Sequence, residues 1–283
     1  PLPACTSSTR RTDIGGLPPR VGIPIEINNS ASSRLRDAVE HAVRSTEASN
    51  AAAERKKVDR VRRALASGAA LSAALGVADG ALRQQAEAMD AADARLDWLL
   101  RQAPVWRDAK EKTLVFVAHR ETLEMLRTAL SHRAQLASGV FHEELSPARR
   151  DTEVARFREH EGPSLLVSTE CGGEGRNFEF CRRLVLFDLP WKPSIVEQRI
   201  GRLDRIGRRI PVEVVYFRPP GGIGGDVVRL FEALGLFREP LAGLEPQLAH
   251  VEGALEEIAL DPRASLSEER FAALVAEAHA ART

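Results

Sequence analysis

The sequence predicts an α/β protein built on a doubly wound parallel sheet with helices on both faces, preceded by a helical insertion and followed by a helical tail. Three observations carry that prediction. Five short, nearly continuous apolar runs lie between 113 and 217, of the kind that strands buried on both faces produce. Segments with apolar residues at helical spacing separate several of them. The connections are short, as crossovers in a parallel sheet are. At 283 residues and 43% apolar composition, the chain is long enough for one large domain or two small ones.

Taken in order, residues 1–30 are rich in Pro and Gly and end in one alternating, strand-like stretch, Val21-Gly-Ile-Pro-Ile-Glu-Ile27. We read this as a connector. From Ser32 to about Ala103 there is no proline and alanine dominates, with Leu35, Val39, Val43 and later Leu96, Leu99 and Leu100 at helical spacing. Two to four helices are expected across this 31–109 insertion, with Gly68, Gly76 and Gly80 interrupting them. The 110–220 segment then alternates: Thr113–Ala118 as strand, Glu121–His132 as helix, Val140–His142 as strand, and Ser146-Pro147 as cap and first residue of a helix reaching about His160. Ser164–Thr169, Arg183–Asp188 and Val212–Phe217 complete the strands, and a helix starting near Pro193 joins the last two. After the break at Gly221–Gly225, residues 226–283 read as a helical tail.

Forty Lys and Arg balance forty Asp and Glu, so whole-chain charge argues for no class of partner and any electrostatic argument must be local. Cys5, Cys171 and Cys181 have no C-x-x-C spacing, which fits a reducing, cytoplasmic setting and implies no zinc site. No stretch is long and apolar enough for a membrane span. The chain opens at Pro1, and a fragment or split product of something longer is expected.

Ligands of such sheets gather at the carboxyl ends of the strands. The loop after Thr169 reads Glu170-Cys-Gly-Gly-Glu-Gly-Arg-Asn177. Its glycines either let backbone N–H groups approach an oxyanion or simply make a tight strand-to-helix turn. A second cluster runs Glu197-Gln-Arg-Ile-Gly-Arg-Leu-Asp-Arg-Ile-Gly-Arg208. At about 100° per residue, Gln198, Arg202 and Arg205 lie within about 60° of one another, with Val196, Ile200 and Leu203 on the far side. A solvated arginine face with Glu197 and Asp204 as partners is the plain reading. The spacing tells against it, because residues 198–205 match Gln-x-x-Gly-Arg-x-x-Arg, the arginine-finger motif of superfamily-two helicases and translocases, at every fixed position.

The segment from Lys112 to Phe217 resembles the second, C-terminal RecA-like lobe of a Swi/Snf-type ATPase, and within that class the bacterial RapA (HepA) branch that associates with RNA polymerase. The resemblance rests on Phe141-His-Glu143 followed by Ser146, on Ser168–Phe178, on Phe187-Asp-Leu-Pro-Trp191 and on Glu197–Gly207. The connector Arg10–Arg20 is similar to the stretch that leads into this lobe. Residues 5–30 and 93–217 are covered.

The resemblance implies that Arg202 and Arg205 are arginine fingers and that Gln198 orders the same site. It implies that Gly173, Glu174, Gly175 and Asn177 belong to a loop coupling nucleotide to nucleic acid, and that Thr169 lies near a strand phosphate. His119, Arg120 and His142 would face the nucleic-acid backbone, although a packed, hydrogen-bonded role suits His142 equally. Arg208 stands where relatives often have glutamine. Trp191 reads as a packing residue.

The implied cofactors are ATP and Mg²⁺. A motor of this class needs a phosphate-binding Gly-Lys loop and an Asp-Glu pair, and the chain contains neither dipeptide. Both cofactors are therefore expected mainly on a first lobe in cis or in trans, and the chain alone is expected to be inactive. The expected partners are duplex DNA and RNA polymerase or a repair or defence complex, with the protein associated with the bacterial nucleoid. A non-catalytic binding module, or a split helicase subunit acting in trans, is the rival expectation.

Overall fold

All five apolar runs become strands of one sheet. They are β2 (Thr113–Phe116), β3 (Gly139–Phe141), β4 (Leu165–Ser168), β5 (Arg183–Leu186) and β6 (Val212–Arg218), and the strand-like stretch of the connector, β1 (Arg20–Glu26), joins them. The computed structural model describes residues 18–27, 30–169, 177–205, 208–240 and 245–280. The sheet order is β1-β6-β5-β2-β4-β3, with every pair parallel. β1 pairs with β6 along its whole length, so the connector ends inside the sheet and supplies an edge strand.

Every residue of β2, β4 and β5 is buried, because helices cover both faces. The two-residue side-chain period splits the strands cleanly. Leu114, Phe116, Leu184, Leu186, Val214 and Tyr216 enter one core, whereas Val115, Val117, Val185, Phe187, Val215 and Phe217 enter the other.

Five α-helices precede β2, more than the two to four expected. They are α1 (Ser30–Arg44), α2 (Ala51–Ala66), α3 (Gly68–Ala73), α4 (Gly80–Ala91) and α5 (Ala94–Asp108). Gly68 marks a close approach. Its amide and that of Ala69 each donate to Asp90 at 2.6 Å, and a Cβ there would lie 1.9 Å from the Ala86 carbonyl oxygen. Helix α5 packs against the sheet. Leu96, Leu99, Ala103 and Trp106 pack with Val115, Val117, Leu165 and Val167 in the sheet's own core, so no break in packing coincides with the expected boundary near 110.

Within the lobe, α6 (Arg120–Arg133) and α7 (Pro147–Arg158) follow β2 and β3. Ser146 caps α7 by accepting from the Arg149 amide at 3.3 Å, with Pro147 at the first helical position. Helix α8 (Pro193–Gly201) joins β5 to β6. The expected glycine break instead opens α9 (Gly222–Ala233), which α10 (Glu245–Leu260) and α11 (Glu268–Ala280) follow. A glycine at the left-handed φ of +67° starts that helix at Gly222, and Glu40 accepts from the Ile223 amide at 3.2 Å.

The two helical stretches, far apart in sequence, form one body on one side of the sheet. Val39, Val43, Val58 and Val61 share a core with Leu248, Val251, Leu255 and Ile258. Arg44 donates to the carbonyls of Ile258, Asp261 and Ala264 at 2.9, 2.6 and 2.6 Å, and the Lys57 ammonium donates to that of Leu260 at 2.7 Å. Two cations thus satisfy the open carbonyls at the end of α10. No described helix is long and apolar enough to cross a membrane.

Candidate functional site

Strand adjacency gathers the predicted residues at one edge of the sheet. His119 and Arg120 follow β2, His142 follows β3 and Thr169 follows β4; these three strands lie side by side, with β5 and Asp188 next to β2. The strand ends are stitched together beyond the ladder: Thr169 N donates to the Phe141 carbonyl at 3.0 Å and Ala118 N donates to Asp188 Oδ2 at 2.9 Å.

The side chains at this edge are less open than the sequence reading expects. Thr169 is 4% exposed and its hydroxyl donates to Glu143 Oε2 at 2.8 Å. His142 is 6% exposed, and its Nδ1 has no hydrogen-bond partner among the described residues. Arg120 is half-buried and ion-paired with Glu144. His119, at the N-cap of α6, is half-buried, and burial pulls its imidazole below the ordinary histidine range against the opposing charge of Asp188. It lines a cavity of about 300 Å³ with Asp59, Arg62, Trp191, Lys192 and Glu252. Trp191 is buried with the Arg62 guanidinium 4.9 Å from its ring centroid, a packing role as expected. Gly173, Glu174 and Gly175 lie outside the described residues; Asn177 is exposed at the end of that loop.

The arginine cluster departs from the helical wheel. Val196, Ile200 and Leu203 are fully buried, as the spacing predicts, and Gln198 is exposed. Helix α8, however, ends at Gly201. The amides of Leu203 and Asp204 both donate to the Ile200 carbonyl at 3.0 Å, closing a turn that carries Arg202 and delivers Arg205 beyond the helix. Arg202 is half-buried and Arg205 exposed. The Phe178 amide donates to the Arg202 carbonyl at 2.9 Å, which fastens this turn beside Asn177.

Sequence reasoning missed the arginines that hold the site. Arg199, inside the motif, is 2% exposed and donates to the Asp188 carbonyl at 2.9 Å and to Asp188 Oδ1 at 3.3 Å, so α8 is anchored to the end of β5. Arg20 on β1 takes both Glu197 and Asp204, the acids expected to pair with the arginine face. Arg208 is buried and donates to the carbonyls of Glu179, Cys181, Arg182, Ile210 and Pro211, a loop-binding role. Arg95 joins the Leu65 and Ala66 carbonyls to that of Phe187 at 3.1, 2.7 and 3.0 Å. Arg95 and Arg199 stand beside the buried Leu96 and Ile200, whereas Arg20 precedes the exposed Val21 and Arg208 the exposed Arg209, so no common sequence signal separates the four from solvated arginines.

Residues 94–207 match the helicase conserved C-terminal domain. The first of them, Ala94, is the first residue of α5. The RNA polymerase-associated protein RapA of Pectobacterium atrosepticum is 45% identical over 137 residues, which are 47% of this chain and 14% of that protein. Its counterpart from Pseudomonas putida is 43% identical over 150 residues, 51% of this chain and 15% of that one. The chain thus spans about one seventh of these relatives. Among solved structures, the Sulfolobus solfataricus SWI2/SNF2 ATPase core superimposes with a TM-score of 0.57 at 17% identity, covering 79% of this chain and 44% of that one. The C-terminal part of the Fun30 ATPase domain gives 0.56 at 15%, covering 87% and 99%. The Sulfolobus core in complex with double-stranded DNA gives 0.56 at 16%, covering 88% and 49%.

Proposed function

We propose that the chain carries the C-terminal RecA-like lobe of a Swi/Snf-type helicase-family ATPase similar to RapA, and that it is the finger-bearing half of a motor that translocates on double-stranded DNA. Gln198, Arg202 and Arg205 carry this reading. They stand at the surface end of α8, on a segment whose opposite side is locked into the core, within the matched domain. Guanidiniums so placed reach across a cleft to the γ-phosphate and stabilise the charge that develops in phosphoryl transfer.

ATP and Mg²⁺ would be held mainly by a first lobe, which supplies the Gly-Lys loop and the Asp-Glu pair that this sequence lacks. Gly173, Glu174, Gly175 and Asn177 would line the nucleotide side of the cleft. Arg120 and His119, at the carboxyl edge of the sheet, would follow the nucleic-acid backbone by phosphate contacts. Buried Thr169 and His142 would support that surface from beneath. RNA polymerase is the proposed partner, on the strength of the relatives' association with it.

The test is DNA-stimulated ATP hydrolysis, measured on the chain alone and after a first lobe is supplied. Silence alone and DNA-dependent turnover on reconstitution are expected. Arg202→Ala and Arg205→Ala should each lower turnover by about 10³–10⁵ while nucleotide binding survives. Unchanged turnover in both would remove the finger assignment.

A further inference from the structure

We infer that Arg20 is a positioning residue for the Gln198–Arg205 segment: it holds the turn that carries the fingers by gripping an acid on either side of it. The inference rests on the finger reading for its consequence and on geometry for its substance. Arg20 lies at the start of β1, 177 residues from Glu197 and 184 from Asp204. Its side chain is 3% exposed and donates from Nη1 and Nη2 to the two oxygens of Glu197 at 2.8 and 2.7 Å, and from Nε to Asp204 Oδ2 at 2.6 Å. Nη1 also reaches the Glu239 carbonyl at 3.2 Å. One planar fork therefore fills three carboxylate oxygens in two directions, which a lysine point charge cannot do.

Need for such a grip follows from where α8 ends. Gln198 and Arg202 both lie between the two acids in sequence, and past Gly201 the regular helix gives way to a closing turn in which the Leu203 and Asp204 amides share the Ile200 carbonyl. The Phe178 amide fixes the Arg202 carbonyl from one direction, and Arg20 fixes Glu197 and Asp204 from another. Burial acts against the Arg20 charge, but the two acids outweigh it and hold the guanidinium above its ordinary range. Without Arg20, the Asp204 carboxylate, itself 4% exposed, would lose a 2.6 Å guanidinium contact while still buried near Glu197, and the turn would loosen.

Arg20 also connects this turn to the entering chain. β1 is held to β6 from Arg20 onward, with the Val212 amide donating to the Pro19 carbonyl at 3.3 Å. A shift of the segment leading into β1 would therefore be felt at Glu197 and Asp204, and so at the fingers.

Hydrogen exchange on this chain, with Arg20→Met and Arg20→Lys, tests the grip without any need for activity. Arg20→Met is expected to raise exchange of the Leu203–Arg205 amides by about tenfold while those of β2, β4 and β5 stay protected. In a Glu197→Gln, Asp204→Asn background the same change should add little. In the reconstituted two-lobe protein, Arg20→Met should lower kcat by about 10²-fold at unchanged KM for ATP, the cost of a misplaced catalytic group, with Arg20→Lys in between. Unchanged exchange at 203–205, or a rise spread evenly over the sheet, overturns the proposal. So does full turnover in Arg20→Met where Arg202→Ala is inactive. If Arg202→Ala and Arg205→Ala leave turnover unchanged but Arg20→Met raises exchange locally, the finger reading falls and the grip stands.

Discussion

The strand core between 113 and 218 and the helical body beside it are joined by different forces. In the core, parallel ladders and alternating apolar side chains do the work: Leu184 and Leu186 face one way, Val185 and Phe187 the other, all near zero exposure. At the joints of the helical body, buried charges act beside the shared apolar core. Asp93 is fully enclosed with Arg36 and Arg95, each at 2.7 Å, and Arg44 caps the end of α10 from α1. A sheet propagates through repeated backbone pairing. Helices from distant parts of a chain meet at their ends, where unsatisfied carbonyls recruit cations. The joints are thus sensitive to acid in a way that the core is not, while their burial leaves them little screened by salt.

Breaking a joint should cost most. Asp93→Asn leaves two buried guanidiniums without their carboxylate and is expected to lower stability by about 3–5 kcal/mol, read from urea unfolding. Burial alone would raise the Asp93 carboxyl, but Arg36 and Arg95 outweigh it and hold it well below the usual range. The unfolded chain therefore takes up a proton that the folded one refuses, so this contribution is complete above about pH 4 and is lost as pH falls further. The urea midpoint of the parent chain should drop across that window, and that of Asp93→Asn should drop less.

The core arm sharpens the contrast. Leu184→Ala is expected to cost about 2–5 kcal/mol by opening a cavity between β2 and β6, with no dependence on pH between 3 and 7 beyond that of the parent. The smallest effect belongs to a local feature: Ser146→Ala removes the cap of α7 and should cost about 1 kcal/mol, independent of either core. A larger loss there would mean that the turn after β3 is coupled to the Thr169–Glu143 contact at the site.

The fold of the lobe was legible because its signals are local. Apolar runs marked all five core strands, and Ser146-Pro147 marked the start of α7. Helix count in the insertion was not: Gly68, Gly76 and Gly80 do stand at helix ends, but the one-residue gap that divides α2 from α3 depends on the close approach of Gly68 to Ala86 and Asp90 of α4. Gly221–Gly225 misread for a related cause: Glu40, far away in sequence, supplies the acceptor that lets the helix begin at Gly222. At the site, Gln198 and the buried side of α8 followed from periodicity. Arg205 did not, since the wheel assumes a helix that stops at Gly201.

Sequence by itself determined the parallel α/β lobe, its strands, the Gln-x-x-Gly-Arg-x-x-Arg spacing and the absence of a Gly-Lys loop, all properties of near neighbours in the chain. Only the tertiary structure decided that β1 completes the sheet, that residues 30–91 and 222–280 share one core, and which arginines are anchors. Arg199 and Arg202 have the same intrinsic chemistry three residues apart. Arg199 is taken by Asp188 at the end of β5, while Arg202 sits on the turn that Arg20 braces from the far edge of the sheet. A guanidinium is charged and forked wherever it lies, and its role is set by which acids and carbonyls the fold brings within reach.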